Sequence, residues 1–233
     1  MAGNSSGRSA STSDPARRID VAPERFPGWI TSFAERHDGR LTAASGEETV
    51  LFSAADGAAA SCQVPFPPLK AGDMQPEALA RELAAHACAS RTVGVLLVRL
   101  GGYAAGVFTG TEPVLAASKV GSRLVHGRSA AGGQSQRRFA RRRENQAHQA
   151  LAAAADTAAA VFSQHRLDTV ILGGDRRAMA GLRNDPRLAD YFELADGRFL
   201  TVPDPKLSVL RDTPRIFRAI RITLTEPGIA RKG

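Results

Sequence analysis

Lys119–Gln149 reads KVGSRLVHGRSAAGGQSQRRFARRRENQAHQ, and the rest of the chain is best interpreted from it. Its centre is Gly132-Gly133-Gln134, set between the small residues Ser129, Ala130 and Ala131 and the hydroxyl of Ser135. Glycine reaches backbone angles closed to other residues and lets the main chain approach a partner closely. The window also holds eight basic residues (Lys119, Arg123, Arg128, Arg137, Arg138, Arg141, Arg142, Arg143) against one acid, Glu144, a net of +7 in a chain of net +8. Outside it, 23 basic and 22 acidic residues nearly cancel, so the basic character belongs to one segment. A glycine-rich loop beside an arginine block reads as an element that docks on a polyanion, and nucleic acid is the commonest polyanion.

On its C-terminal side the pattern predicts a helix from Gln136 to about His165, with Ser135 as N-cap. Its clearest apolar residues are Phe139, Leu151, Val161 and Phe162, around an alanine-rich middle. Such a rod is roughly 45 Å long. On its N-terminal side, Val93–Val98, Tyr103–Thr109 and Glu112–Val120 read as a three-stranded antiparallel meander. Beyond the helix, Asp168–Leu172 reads as a buried strand, turning at Gly173-Gly174-Asp175 into a helix over Arg176–Leu182. This Gly-Gly pair has neither GxGxxG spacing nor the lysine-serine pair of a phosphate loop, so it is read as a tight turn.

Further out, residues 1–20 are small and polar and read as a disordered tail. Residues 21–90 form a small α+β module. A helix opens near Phe26 with Trp29, Ile30 and Phe33 at helical spacing, and strands follow at Leu41–Ala43, Thr49–Phe52 and Ala60–Val64. A second helix spans Pro76–Ala89. The second domain is drawn as residues 91–233. Its tail, Leu188–Gly233, carries strands at Arg198–Val202 and Ala219–Thr225, and the pattern leaves open which domain that tail completes.

Composition excludes several classes. A hydrophobic fraction of 43% and a charged fraction of 23% are globular values. Cys62 and Cys88 form no CxxC pair, which argues against a disulfide framework or a zinc finger. The chain has no 18-residue apolar run and no signal-peptide core, so the expectation is a soluble cytoplasmic protein with no membrane partner. A metal nuclease needs several converging carboxylates, yet Val93–Leu100 has none and the meander offers only Glu112. Ser135 lacks a nucleophile elbow. Metal binding by His126, His148 and His165 is opposed by the arginines around the first two. No metal and no cofactor is therefore expected. His86, Cys88 and Trp29 read as packing residues.

His126-Gly127-Arg128, Gly132-Gly133-Gln134-Ser135 and Arg138-Phe139-Ala140-Arg141 with Arg143 together resemble the catalytic segment of the middle domain of eukaryotic and archaeal class I release factors. The resemblance covers about residues 91–185 and departs by three residues, Ser129-Ala130-Ala131, between its two halves. It implies an α+β chain: a small N-terminal α+β module, then an RNase H-like release-factor middle domain with a GGQ loop and a long helix. The chain is most similar to the actinobacterial-type, Vms-like branch, since residues 21–90 show no stop-codon-reading motif. That resemblance implies a codon-independent peptidyl-tRNA hydrolase freeing nascent chains from stalled or split large subunits. Gln134, Gly133 and Gly132 would be the catalytic loop. Arg123, His126, Arg128, Arg137, Arg138, Arg141, Arg142 and Arg143 would contact RNA. The implied partners are the large-subunit rRNA and peptidyl-tRNA, with no DNA expected. Two other readings stand beside it: a non-hydrolytic translation-surveillance module that binds ribosomes, and a general RNA-binding protein. The GGQ sequence disfavours the first.

Overall fold

The computed structural model describes residues 17–99, 101–122 and 135–226, with the side chains of residues 135–140, 142 and 143 left aside. Its elements form two units, each with its own five-stranded sheet.

The first unit is an antiparallel sheet with two helices packed into its core. Its strands are β1 (Arg17–Val21), β2 (Leu41–Ser45), β3 (Thr49–Ala54), β4 (Ala59–Gln63) and β10 (Ile220–Thr225), in the order β1-β10-β4-β3-β2. Strand alternation puts Val50, Phe52, Ala60, Cys62, Ile220, Ile222 and Leu224 on one face. That face packs with Phe26, Ile30 and Phe33 of α1 (Phe26–Arg36) and with Leu79 and Leu83 of α2 (Pro76–Cys88). Trp29 stacks between Phe26 and Phe33 at centroid distances of 6.4 and 5.5 Å, a core role. Burial pushes the Cys62 thiol up to about 12, which removes it as a nucleophile.

The sequence reading is corrected in two places here. Arg17–Asp20 belong to a strand, although residues 1–20 read as a tail; Ile19 and Val21 pack on the core while Arg18 and Asp20 face outward. Five residues between charged neighbours carry too weak an alternation to be recognised without their partner strand. The last strand, placed with residues 91–233, pairs instead between β1 and β4. The second unit accordingly comprises Pro65–Pro67 and Ala85–Ala219, with the break inside α2 rather than at residue 91.

The second unit is a mixed sheet between helices. Strands β5 (Arg91–Arg99), β6 (Gly102–Gly110), β7 (Val114–Ser122), β8 (Thr169–Gly174) and β9 (Ala195–Leu200) lie in the order β7-β6-β5-β8-β9. The first three form the expected antiparallel meander, and β8 and β9 add in parallel. This is the strand order of an RNase H-like domain, on an α+β chain. Both faces are covered, which explains the nearly continuous burial of Val93–Val98. On one face Leu96, Val98, Ala105 and Val107 pack with α3 (Ser135–Phe162); on the other Val93, Val95, Leu97 and Phe108 pack with α6 (Leu207–Phe217). The helix α6 carries Pro214 and follows Pro203 and Pro205, which together obscure its periodicity in the sequence. Two short helices, α4 (Arg176–Leu182) and α5 (Ala189–Glu193), complete the unit.

Candidate functional site

Residues 123–134 connect β7 to α3, and the predicted loop falls on them. Gly132, Gly133, Gln134, Arg123, His126 and Arg128 therefore lie outside the described residues, as do the side chains of Ser135, Arg137, Arg138, Phe139, Arg142 and Arg143. What the structure describes is the frame that carries this connection.

The loop leaves from Ser122, which pairs with Gly102, and Gly102 in turn pairs with Arg99. Val98 is opposite Gly174 at the end of β8. One end of the sheet therefore presents Ser122, Gly102, Arg99 and Gly174 in a row. Beneath the loop's root, a Cβ on Gly121 would fall 2.5 Å from the Tyr103 ring. Only glycine lets that ring pack across the edge strand at the point where the loop departs.

The loop re-enters the fold at Ser135, the first residue of a 28-residue helix about 42 Å long. Alanine and arginine, which dominate α3, are both strong helix formers. Among its described side chains, burial is confined to the C-terminal part: Ala150, Ala154, Ala155, Thr157, Ala158, Val161 and Phe162. None of the described side chains from Arg141 to Gln149 is buried, and Arg141 itself is exposed. The clearest apolar residues in the sequence are Phe139, whose side chain lies outside those described, Leu151, Val161 and Phe162, whereas most of the described interface is alanine. Small side chains bring the helix axis close to the sheet. At the far end, the Phe162 ring lies 3.3 Å from the position of a Gly94 Cβ and meets Tyr191 edge-on at 5.1 Å. Arg187 ties α3 to the segment after α4 through ion pairs with Asp156 and Asp185. The helix is thus a lever, anchored over its C-terminal half and carrying the arginine block on the other.

Carboxylates do not converge anywhere on this frame. Glu112 sits in the β6–β7 turn and Asp168 beside Thr92, both at the end of the sheet away from the loop. Asp175 lies at the loop end, but its Oδ1 accepts from the main-chain N–H groups of Arg177 and Ala178 at 2.7 and 2.9 Å. Among the described residues, no group of three or more His, Cys, Asp or Glu side chains is arranged to hold a metal ion. His86 Nε2 instead contacts the carbonyls of Pro65 and Phe66, each at 3.0 Å. No described helix is long and apolar enough to cross a membrane.

An RNase H-like sheet with a glycine-rich connection between its third strand and a long basic helix defines a release-factor-like domain. The comparisons make this specific. The chain belongs to the Actinobacteria/chloroflexi VLRF1 release factor family, matched over residues 91–223. Among curated proteins, none matches it. Similar solved structures include the archaeal translation termination factor aRF1, at 12% identity and TM-score 0.37, covering 88% of this chain and 68% of that one. An archaeal protein matches at 12% identity and TM-score 0.33, with 86% and 65% covered. S. cerevisiae Dom34, a translation termination-like factor involved in RNA quality control and interacting with Hbs1, matches at 10% identity and TM-score 0.31, with 88% and 65% covered. The chain spans about two thirds of the length of these structures.

Proposed function

We propose that this protein is a ribosome-dependent, codon-independent peptidyl-tRNA hydrolase acting in the cytoplasm, which releases nascent chains from stalled or split large subunits. The observation that carries the reading is the sequence HGR-SAA-GGQS-xx-RFARRR spanning the β7–α3 connection of a release-factor family member. In the sequence Gln134 has no base directly beside it, and a glutamine amide does not titrate at neutral pH. Its amide and main-chain N–H groups orient water or donate to a developing oxyanion. The reaction is therefore one of positioning: RNA supplies the remainder of the site, and Gln134 holds a water against the ester that links peptide to tRNA. Gly132 and Gly133 keep the main chain slim enough to enter an RNA cavity. Arg128 and the Arg137–Arg143 block hold phosphates, for which the guanidinium fork is well shaped.

The test is release of tRNA from purified large subunits bearing peptidyl-tRNA. Gln134→Ala is expected to abolish release while leaving the melting curve and large-subunit binding unchanged. Undiminished hydrolysis by that variant removes the catalytic assignment and leaves an RNA-docking protein.

A further inference from the structure

The Gly173-Gly174-Asp175 turn is not a phosphate loop, yet it shapes a crevice of its own. Gly174 has φ +101°, and a Cβ there would fall 2.2 Å from the Val98 carbonyl oxygen. The turn therefore presses against β5, and the Asp175 N–H donates to that same carbonyl at 2.8 Å. This close approach brings Arg176 and Arg177 to the same mouth as Arg99, the last residue of β5. Arg99, Gly174, Asp175, Arg176 and Arg177 line an open crevice of about 360 Å³ at the carboxyl ends of the parallel pair β5 and β8. In open α/β sheets ligands bind outside the carboxyl ends of the strands, and this crevice lies at that end of β5 and β8.

The chemistry of the crevice selects its ligand. Three guanidinium groups and one carboxylate, Asp175, line the crevice, with a second carboxylate, Asp204, beside Arg99, and Asp175 spends an oxygen on the main-chain N–H groups of Arg177 and Ala178. The main-chain N–H groups of Asp175, Arg177 and Ala178 are thus occupied, and the side-chain donors lining the crevice are the arginine forks. Two of these are held in place. Arg99 donates to the Val202 carbonyl at 2.9 Å and lies 3.7 Å from the exposed Asp204 carboxylate. Arg176 stacks over the Phe199 ring at 4.4 Å, which also covers the aromatic face a base would need. A cation is repelled, and a free nucleotide finds no enclosed base pocket. A phosphodiester matches both the charge and the open shape.

We propose that Arg99, Arg176 and Arg177 form a second phosphate site, which grips the backbone of an RNA at the loop-bearing end of the sheet. Ser122, where the catalytic connection departs, is three strands from β8 along that end, roughly 15 Å away. The crevice therefore lies at the end of the sheet from which that connection departs. This inference rests on the proposed function only for its partner: it requires RNA binding, not hydrolysis.

The experiment measures affinity against salt concentration for the full chain, with deacylated tRNA in one arm and vacant large subunits in the other. Arg176→Gln/Arg177→Gln is compared with the wild type, each with a melting curve. Loss of phosphate contacts is expected to weaken binding in at least one arm and flatten its logarithmic salt slope by roughly 0.7 to 0.9 per contact. The arm that responds identifies the source of the phosphate. If the double variant does not fold, Arg177→Glu at its exposed position and Arg177→Lys take its place. The first is expected to weaken binding more than the second. A folded variant with wild-type affinity and slope in both arms overturns the proposal. Because the readout is binding, a wild-type protein that binds RNA without hydrolysing the ester sinks the hydrolase reading and leaves the crevice intact. Normal release with an unchanged slope sinks the crevice alone.

Discussion

Replacing Ala154 by leucine tests whether the anchored half of α3 aims the loop at its other end. Ala154 is fully buried in the cluster that includes Leu96, Val98, Ala105 and Val107 of the sheet. An isobutyl group in place of a methyl has no room there, and overpacking of this kind costs about 1–3 kcal/mol. For a chain of this size, each kcal/mol lowers Tm by about 2–4 °C. The domain is expected to stay folded, because the strain is relieved by lifting the helix. Ser135 lies nineteen residues from Ala154 along the helix, about 29 Å at the α-helical rise. A tilt of about 10° about Ala154 then swings the loop's attachment by about 5 Å. Misplacement of about 1 Å already costs on the order of 100-fold in a reaction that depends on positioning. The assay is single-turnover release of tRNA from large-subunit complexes at saturating protein, beside a thermal melt. The expected result is a rate reduced at least 100-fold with a modest fall in Tm. A variant with the lowered Tm but a wild-type release rate would falsify the view that helix docking positions the catalytic residues.

Three further outcomes are expected. Replacing Arg137, Arg138 and Arg141 with Gln should weaken large-subunit binding and flatten its salt slope by roughly 0.9 per lost contact on the duplex calibration. The rate at saturation should fall less than in Gln134→Ala; wild-type slope in a folded variant shows that the block docks nothing. Release should require the ribosome and no codon, so equal cleavage of free peptidyl-tRNA, or dependence on a stop codon in the A site, contradicts the proposal. The first unit should lose stability in acid. The Asp56 carboxyl is held below its ordinary 3.8, first by the Ala58 N–H and then by the His37 imidazole, whose Nδ1 lies 2.7 Å from it. A depressed folded-state value stabilises above the unfolded value, and that contribution is lost as pH falls through the folded one. Asp56→Asn should therefore be less stable at neutral pH and show a smaller decline below about pH 4 in a melting series; an unchanged acid profile refutes the pairing.

Charge clustering and local periodicity in the amino-acid sequence determined the meander Val93–Val120, the long helix and the strand–turn–helix through Gly174. Each is written in neighbouring residues: alternation for strands, alanine and arginine for the helix, glycine where the chain turns. The family follows from the same local signal, since HGR, GGQS and RFAR are contiguous words. Tertiary structure decided whatever depends on partners distant in the chain. Whether Ile220, Ile222 and Leu224 complete the first sheet or the second depends on which sheet has an open edge and a matching buried face, and β1 supplies the neighbour on its other side. The anchoring half of α3 is built from alanines, which have no hydrophobic pattern of their own and are recognised as an interface only against the sheet. Arg99 and Arg176 are 77 positions apart in the chain. They share a crevice because β5 and β8 pair in parallel and Gly174 lets the turn close on Val98, a juxtaposition that pairing creates and no local pattern encodes.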